Sequence, residues 1–135
     1  MFGRTLLTVT SLVLSASGLG ALFAPAELAG LLVSSAAPPL ALVIQLTASG
    51  LLGFAILNWM SRRNRIGGIY GRPLGLANLL LFAIAALSLG KAIAAGTLSP
   101  AAWPACLLLA LFAASFAWLV FVHDPLGGEV RNGSR

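Results

Sequence analysis

The run LALVIQLTASGLLGFAILNWM, residues 40–60, followed at once by SRRNRIGGIYGRP, residues 61–73, decides how this chain is read. The first stretch holds no charged residue, and its polar side chains are confined to Gln45, Thr47, Ser49, Asn58 and the indole of Trp59. A helix crosses the roughly 30 Å hydrocarbon core of a bilayer with about 20 mostly apolar residues, so residues 40–60 have the length and character of a spanning helix. The second stretch gathers Arg62, Arg63, Arg65 and Arg72 directly against that apolar run. An abrupt change from uncharged to arginine-rich marks the edge of a membrane and assigns it a side.

Working outward, three further segments have the same character. One runs from about Thr5 to Ala24 and stops at Pro25; one runs from Leu74 to about Ala95; one runs from about Ala101 to Val122. Pro73 stands at a first-turn position, where a missing N–H costs nothing. Arg4 ahead of the first run gives it some likeness to a signal peptide, but Pro25 would follow the cut after Ala24 and disfavour cleavage, so a retained helix is expected. Between Pro25 and Pro39, Glu27 suits the first turn of a helix, and Leu28, Leu31 and Leu32 fall to one side. This predicts a short interfacial half-helix at about residues 26–34, ending near Ser34-Ser35. The short link from Gly96 to Pro100 makes the last two helices antiparallel neighbours. The expected fold is therefore all-α: a polytopic membrane four-helix bundle forming a single transmembrane domain over residues 1–135.

Composition agrees. Of 135 residues, 59% are hydrophobic and 8% charged, too few to give a globule a water-facing surface. The net charge of +5 invites a nucleic-acid reading. However, Arg4, the four arginines of the middle loop, and Arg131 and Arg135 all lie in short polar segments beside apolar runs, and only Lys91 falls on the other side. Such asymmetry places both termini and the middle loop in the cytoplasm (N-in, C-in) and leaves no nucleic-acid-binding surface. Trp103 and Trp118 near the ends of the fourth helix, with Trp59 and Tyr70 beside the basic loop, fit an interfacial aromatic belt. The arginine-rich, alanine- and glycine-rich composition points to a bacterial inner (cytoplasmic) membrane.

Apolar side chains gain little by leaving lipid for one another, so membrane helices associate through small residues and interhelical hydrogen bonds. Candidate faces are Thr8, Ser11, Ser15 and Gly18; Gln45, Ser49 and Gly53, with Gly50 adjoining; Asn78, Ala85, Ser88 and Ala92; and Cys106, Ala110, Ala113 and Ala117. These four stripes are expected to converge on a common axis, the alternative being that one stripe faces outward and makes a homodimer contact, with Leu79, Leu80 and Phe112 facing lipid or filling gaps. Gln45 is placed to hydrogen-bond a serine of the first helix.

Few residues suggest chemistry. Lys91 lies about one turn from the outer end of its helix, where its stem can snorkel to water; at mid-bilayer it would cost about 2.5–3.5 kcal/mol. Glu27, on the same side, is a candidate ion-pair partner for it. Asn58 and Asn78 flank the basic loop and form a candidate inner polar pair. Arg62, Arg63, Arg65 and Arg72 are candidate contacts for anionic lipid headgroups. His123 and Asp124 are neighbours and so do not share a helix face, and no second histidine exists to complete a metal site. A histidine near a helix C-terminus complements the dipole. Catalytic, cofactor-binding and metal-binding residues are therefore expected to be none, and the chain is not expected to be an enzyme.

Asn58-Trp59-Met60-Ser61-Arg62, then Gly67-Gly68-Ile69-Tyr70-Gly71-Arg72-Pro73, then Asn78, resemble small uncharacterised bacterial four-helix membrane proteins, which are DoxX-like in size and topology. The resemblance implies the fold and brings no active residue. The expected role is that of a structural or accessory subunit, working by helix packing with itself, as a homo-oligomer, or with another membrane protein. The alternative is a small oligomeric transporter or channel using Gln45, Ser49, Ser88 and Lys91.

Overall fold

The computed structural model describes residues 2–32, 38–63 and 71–122. Arg65, Gly67, Gly68, Tyr70, His123, Asp124, Arg131, Arg135 and the Ser34-Ser35 end of the half-helix lie outside the described residues. The elements are α1 (Phe2–Phe23), α2 (Pro25–Leu32), α3 (Pro38–Ser61), α4 (Gly71–Ala94), a 3-10 turn (Pro100–Ala102) and α5 (Trp103–Phe121). All described secondary structure is helical, as expected. Four of the helices are long and apolar enough to cross a bilayer. This is a multi-pass membrane protein.

The chain divides into two compact units, Met1–Arg63 and Asn64–Arg135. In the first, α1 packs along α3, and α2 packs chiefly on α3. Pro25 has no N–H to donate, and α1 breaks there for a single residue, Ala24, before α2 continues. The Ala24 amide still donates to the Gly20 carbonyl at 2.9 Å, and the Ala24 carbonyl accepts from the Leu28 amide at 3.1 Å. Among the described side chains of α2, Ala29 is buried, while Leu31 is exposed. The small side chain thus meets the protein, and the large one is left for lipid or the interface.

Three contacts fix the register of α1 on α3: Ser11 with Ala55, Thr10 with Asn58, and Gly18 with Leu52. Residue number rises on one helix as it falls on the other, so the pair is antiparallel. The buried line of α1 runs through Leu7, Thr10, Ser11, Leu14, Gly18 and Ala21. Ser11 and Gly18 belong to the expected small-residue stripe of this helix. On α3 the expected stripe is corrected: Gln45, Ser49, Gly50 and Gly53 are exposed, and the buried positions are Ala48, Ala55 and Asn58. The face that α3 turns to α1 is therefore not the expected stripe. The physical reason is that α3 carries small residues on more than one face. Ala48 and Ala55, seven residues apart, return to the same side after two turns and let α1 approach.

In the second unit, α4 and α5 are antiparallel across the link that begins at Ala95. Gly96, at φ 72°, occupies the left-handed position that ends α4. The Gly96 amide donates to the Ile93 carbonyl at 3.0 Å and the Thr97 amide to the Ala92 carbonyl at 3.0 Å, which satisfies two carbonyls of the last turn of α4. Ser99 then caps the 3-10 turn, its hydroxyl oxygen accepting from the Ala101 amide at 3.3 Å. The buried line of α4 is Gly75, Asn78, Phe82, Ala86 and Ile93. Of its expected stripe, Ala85 and Ala92 are half-buried and Ser88 is exposed. On α5, Cys106 and Ala113 are buried and Ala117 half-buried, whereas Ala110 is exposed and Phe112 is buried. An aromatic ring takes the place that small residues alone were expected to fill.

Candidate functional site

The strongest polar feature of the first unit is the seam between α1 and α3. Thr10 is fully buried, and its hydroxyl donates back along α1 to the Leu6 carbonyl at 2.8 Å, with a longer approach to Leu7 at 3.3 Å. That leaves the oxygen free to accept, and the Asn58 amide donates to it at 3.2 Å. At the next residue, the Ser11 hydroxyl crosses to α3 and donates to the Ala55 carbonyl at 2.7 Å. A serine that reaches a backbone carbonyl of another helix needs close approach. Gly18 provides it further along: a Cβ there would lie 2.8 Å from Cγ of Leu52 and 3.3 Å from its backbone nitrogen. The seam is thus closed at one end by hydrogen bonds and at the other by van der Waals contact.

The α4–α5 seam is built differently. Phe82 meets Phe112 with ring centroids 5.1 Å apart and Phe116 at 5.9 Å. Phe82 and Phe116 are almost wholly buried. The Cys106 thiol approaches the Ala86 carbonyl at 3.4 Å, a weak contact that identifies it as packing rather than chemistry. Asn78 is buried, and its amide donates to the Leu74 carbonyl one turn back at 3.0 Å.

The residues singled out in the sequence are placed as follows. Asn58 and Asn78 belong to different units; within its own unit Asn58 bonds Thr10, and Asn78 bonds its own helix. Glu27 is exposed in the first turn of α2, and Lys91 is exposed in the last turn of α4, again in different units. Arg62 stacks on Trp59, its guanidinium carbon 3.4 Å from the ring centroid, and donates to the Trp59 carbonyl at 2.7 Å. Arg63 and Arg72 are exposed. No group of three histidine, cysteine or acidic residues that could hold a metal ion occurs among the described residues.

Sequence reasoning missed Thr10 and Leu52. Thr10 is one residue from Ser11 and was passed over for Thr8, which bonds the Arg4 carbonyl on its own helix at 2.8 Å. The available signal was Ala48 and Ala55 followed by Asn58, a single helix face that ends in an amide and so requires a polar partner opposite. What remains outside both seams is the flank of α3 carrying Gln45, Ser49 and Gly53, all exposed.

No protein-family model matches this chain, and neither does any curated protein or solved structure.

Proposed function

We propose that this chain is a structural or accessory subunit of a bacterial inner (cytoplasmic) membrane, with both termini in the cytoplasm, that works by packing against a second copy or another membrane protein. The observation that carries the reading is the flank of α3 that α1 and α2 leave uncovered within their unit. Gln45 is eight residues into the helix, about 10 Å from its N-terminal end, and is exposed beside Ser49 and Gly53. A primary amide surrounded by hydrocarbon loses its water hydrogen bonds and gains none in return. A neighbouring helix restores them, and Ser49 and Gly53, each one turn further on, allow that helix to come close. Orientation rests on the asymmetry of the basic residues.

The polar residues that a transporter or channel would use, Gln45, Ser49, Ser88 and Lys91, are each exposed. An exposed polar flank is a contact surface before it is a conduit, so the subunit reading is preferred. Extraction of the full chain from its native membrane in a gentle detergent, followed by mass spectrometry, tests it. A species containing a second protein chain is expected; extraction as a single chain with lipid alone overturns the proposal. Replacing Gln45 and Gly53 by leucine is expected to dissociate that species.

A further inference from the structure

Beside the α1–α3 seam the two helices leave an open groove of about 340 Å³, lined by Ser11, Leu12 and Ser15 of α1 and Ala55, Ile56 and Trp59 of α3. Its walls are mostly apolar, and it spans about one helical turn on each side. Ser11 has spent its hydroxyl proton on Ala55, whereas the half-buried Ser15 hydroxyl has no hydrogen-bond partner among the described residues. The groove therefore offers hydrocarbon contact together with one donor.

The antiparallel register determines what stands at its mouth. Residues facing one another across the seam include Ser11 with Ala55 and Thr10 with Asn58, so Arg4 lies at the same end of the unit as Arg62 and Arg63. The single acidic residue described in this unit, Glu27, is in α2, beyond the opposite end of α1. With no acidic side chain of this unit at that end among the described residues, the three arginines cap a groove that leads into the apolar body. Arg62 is held in place over Trp59, which itself lines the groove, and only one of its guanidinium donors is used by the Trp59 carbonyl. A guanidinium fork of this kind matches phosphate oxygens.

We infer that the α1–α3 groove binds an anionic phospholipid, with the upper part of one acyl chain lying against Leu12, Ile56 and Trp59 and the phosphate meeting Arg4, Arg62 and Arg63. Charge complementarity selects the anionic headgroup, and continuity between the cationic end and the apolar groove selects a lipid over free phosphate. This inference does not depend on the subunit role.

Trp59 reports on occupancy. The full chain carrying Trp103→Phe and Trp118→Phe, reconstituted in zwitterionic phosphatidylcholine bilayers, retains Trp59 as its single tryptophan. A minor fraction of phosphatidylglycerol or phosphatidylcholine, brominated near the carbonyl end of the acyl chain, is then added at equal mole fraction. The anionic lipid is expected to be preferred at Trp59 on the order of fivefold or more, since each nearby arginine attracts it by about that factor. The preference is expected to vanish in Arg4→Gln/Arg62→Gln/Arg63→Gln. It is also expected to fall in Ser15→Leu, which fills the groove and leaves the arginines in place. Equal quenching by the two lipids in the Trp59-only protein, a preference that survives loss of the three arginines, or an undiminished preference in Ser15→Leu would each overturn the proposal.

Discussion

The two helical hairpins solve one packing problem in opposite ways. The α1–α3 seam uses hydroxyls, an amide and a glycine, so that backbones come close and bonds cross between helices. The α4–α5 seam uses three phenylalanines, whose rings fill the space that close approach removes from the other. In lipid neither hairpin gains much from burying apolar surface, because the alternative surroundings are equally apolar. Stability must come from the fit of rings in one case, and in the other from the lack of any better partner for buried polar groups. The comparison teaches that a small-residue stripe is one means of approach among several, and that its presence does not reveal which face is used.

The largest effect is expected from breaking the aromatic seam. Phe116→Ala removes a fully buried ring stacked on Phe82, leaving a cavity beside it. Such truncations cost about 3–5 kcal/mol in soluble cores, and part of that is transfer from water, which is absent here, so about 2–4 kcal/mol is expected. Steric-trap or denaturant unfolding in bicelles measures it. Next is the close contact on the other side. Gly18→Leu places a side chain where even a Cβ would lie 2.8 Å from Leu52, and overpacking of this kind costs about 1–3 kcal/mol by the same assay. If Gly18→Leu proved harmless, the first hairpin would not depend on close approach.

The polar bonds come third. Asn58→Leu, which leaves the Thr10 oxygen without its donor, is expected to destabilise by about 0.5–2 kcal/mol, the range for hydrogen bonds between membrane helices. Combining it with Thr10→Val in a double-mutant cycle isolates the coupling, and additive effects would show that the bond contributes nothing. The smallest effect is expected at Gly90→Ala. A Cβ there meets the Cys106 sulfur at 3.5 Å, an ordinary contact, and a change within about 0.5 kcal/mol is expected. Gly18 and Gly90 thus separate a glycine required by a neighbouring helix from one that is only tolerated.

Much of this was legible from residue order. Length and apolarity gave four spans, and prolines and glycines marked the breaks between them; Pro25 and Gly96 act through local backbone chemistry that needs no tertiary context. The packed faces were less legible. Gln45, Ser49 and Gly53 looked like an internal seam because small and polar residues at four-residue spacing commonly form one. The same spacing suits an external surface, and Ala48, Ala55 and Asn58 formed the inner face instead. Phe112 fills a gap against Phe82 rather than facing lipid, and residue order leaves that choice open because an aromatic ring in lipid is at home on either side of a helix. Ser11 does lie in the expected small-residue face of α1, and its hydroxyl donates to the Ala55 carbonyl.

The central claim is that the Gln45 flank of α3 is covered by another protein chain, while the separate face carrying Val43 is covered by lipid. Genetically encoded diazirine side chains placed singly at Ser49, on that flank, and at Val43, which is exposed on a different face, test it in living cells. Ultraviolet irradiation is expected to yield a discrete protein adduct from position 49 and lipid adducts alone from position 43. Lipid adducts alone from both positions would contradict the account.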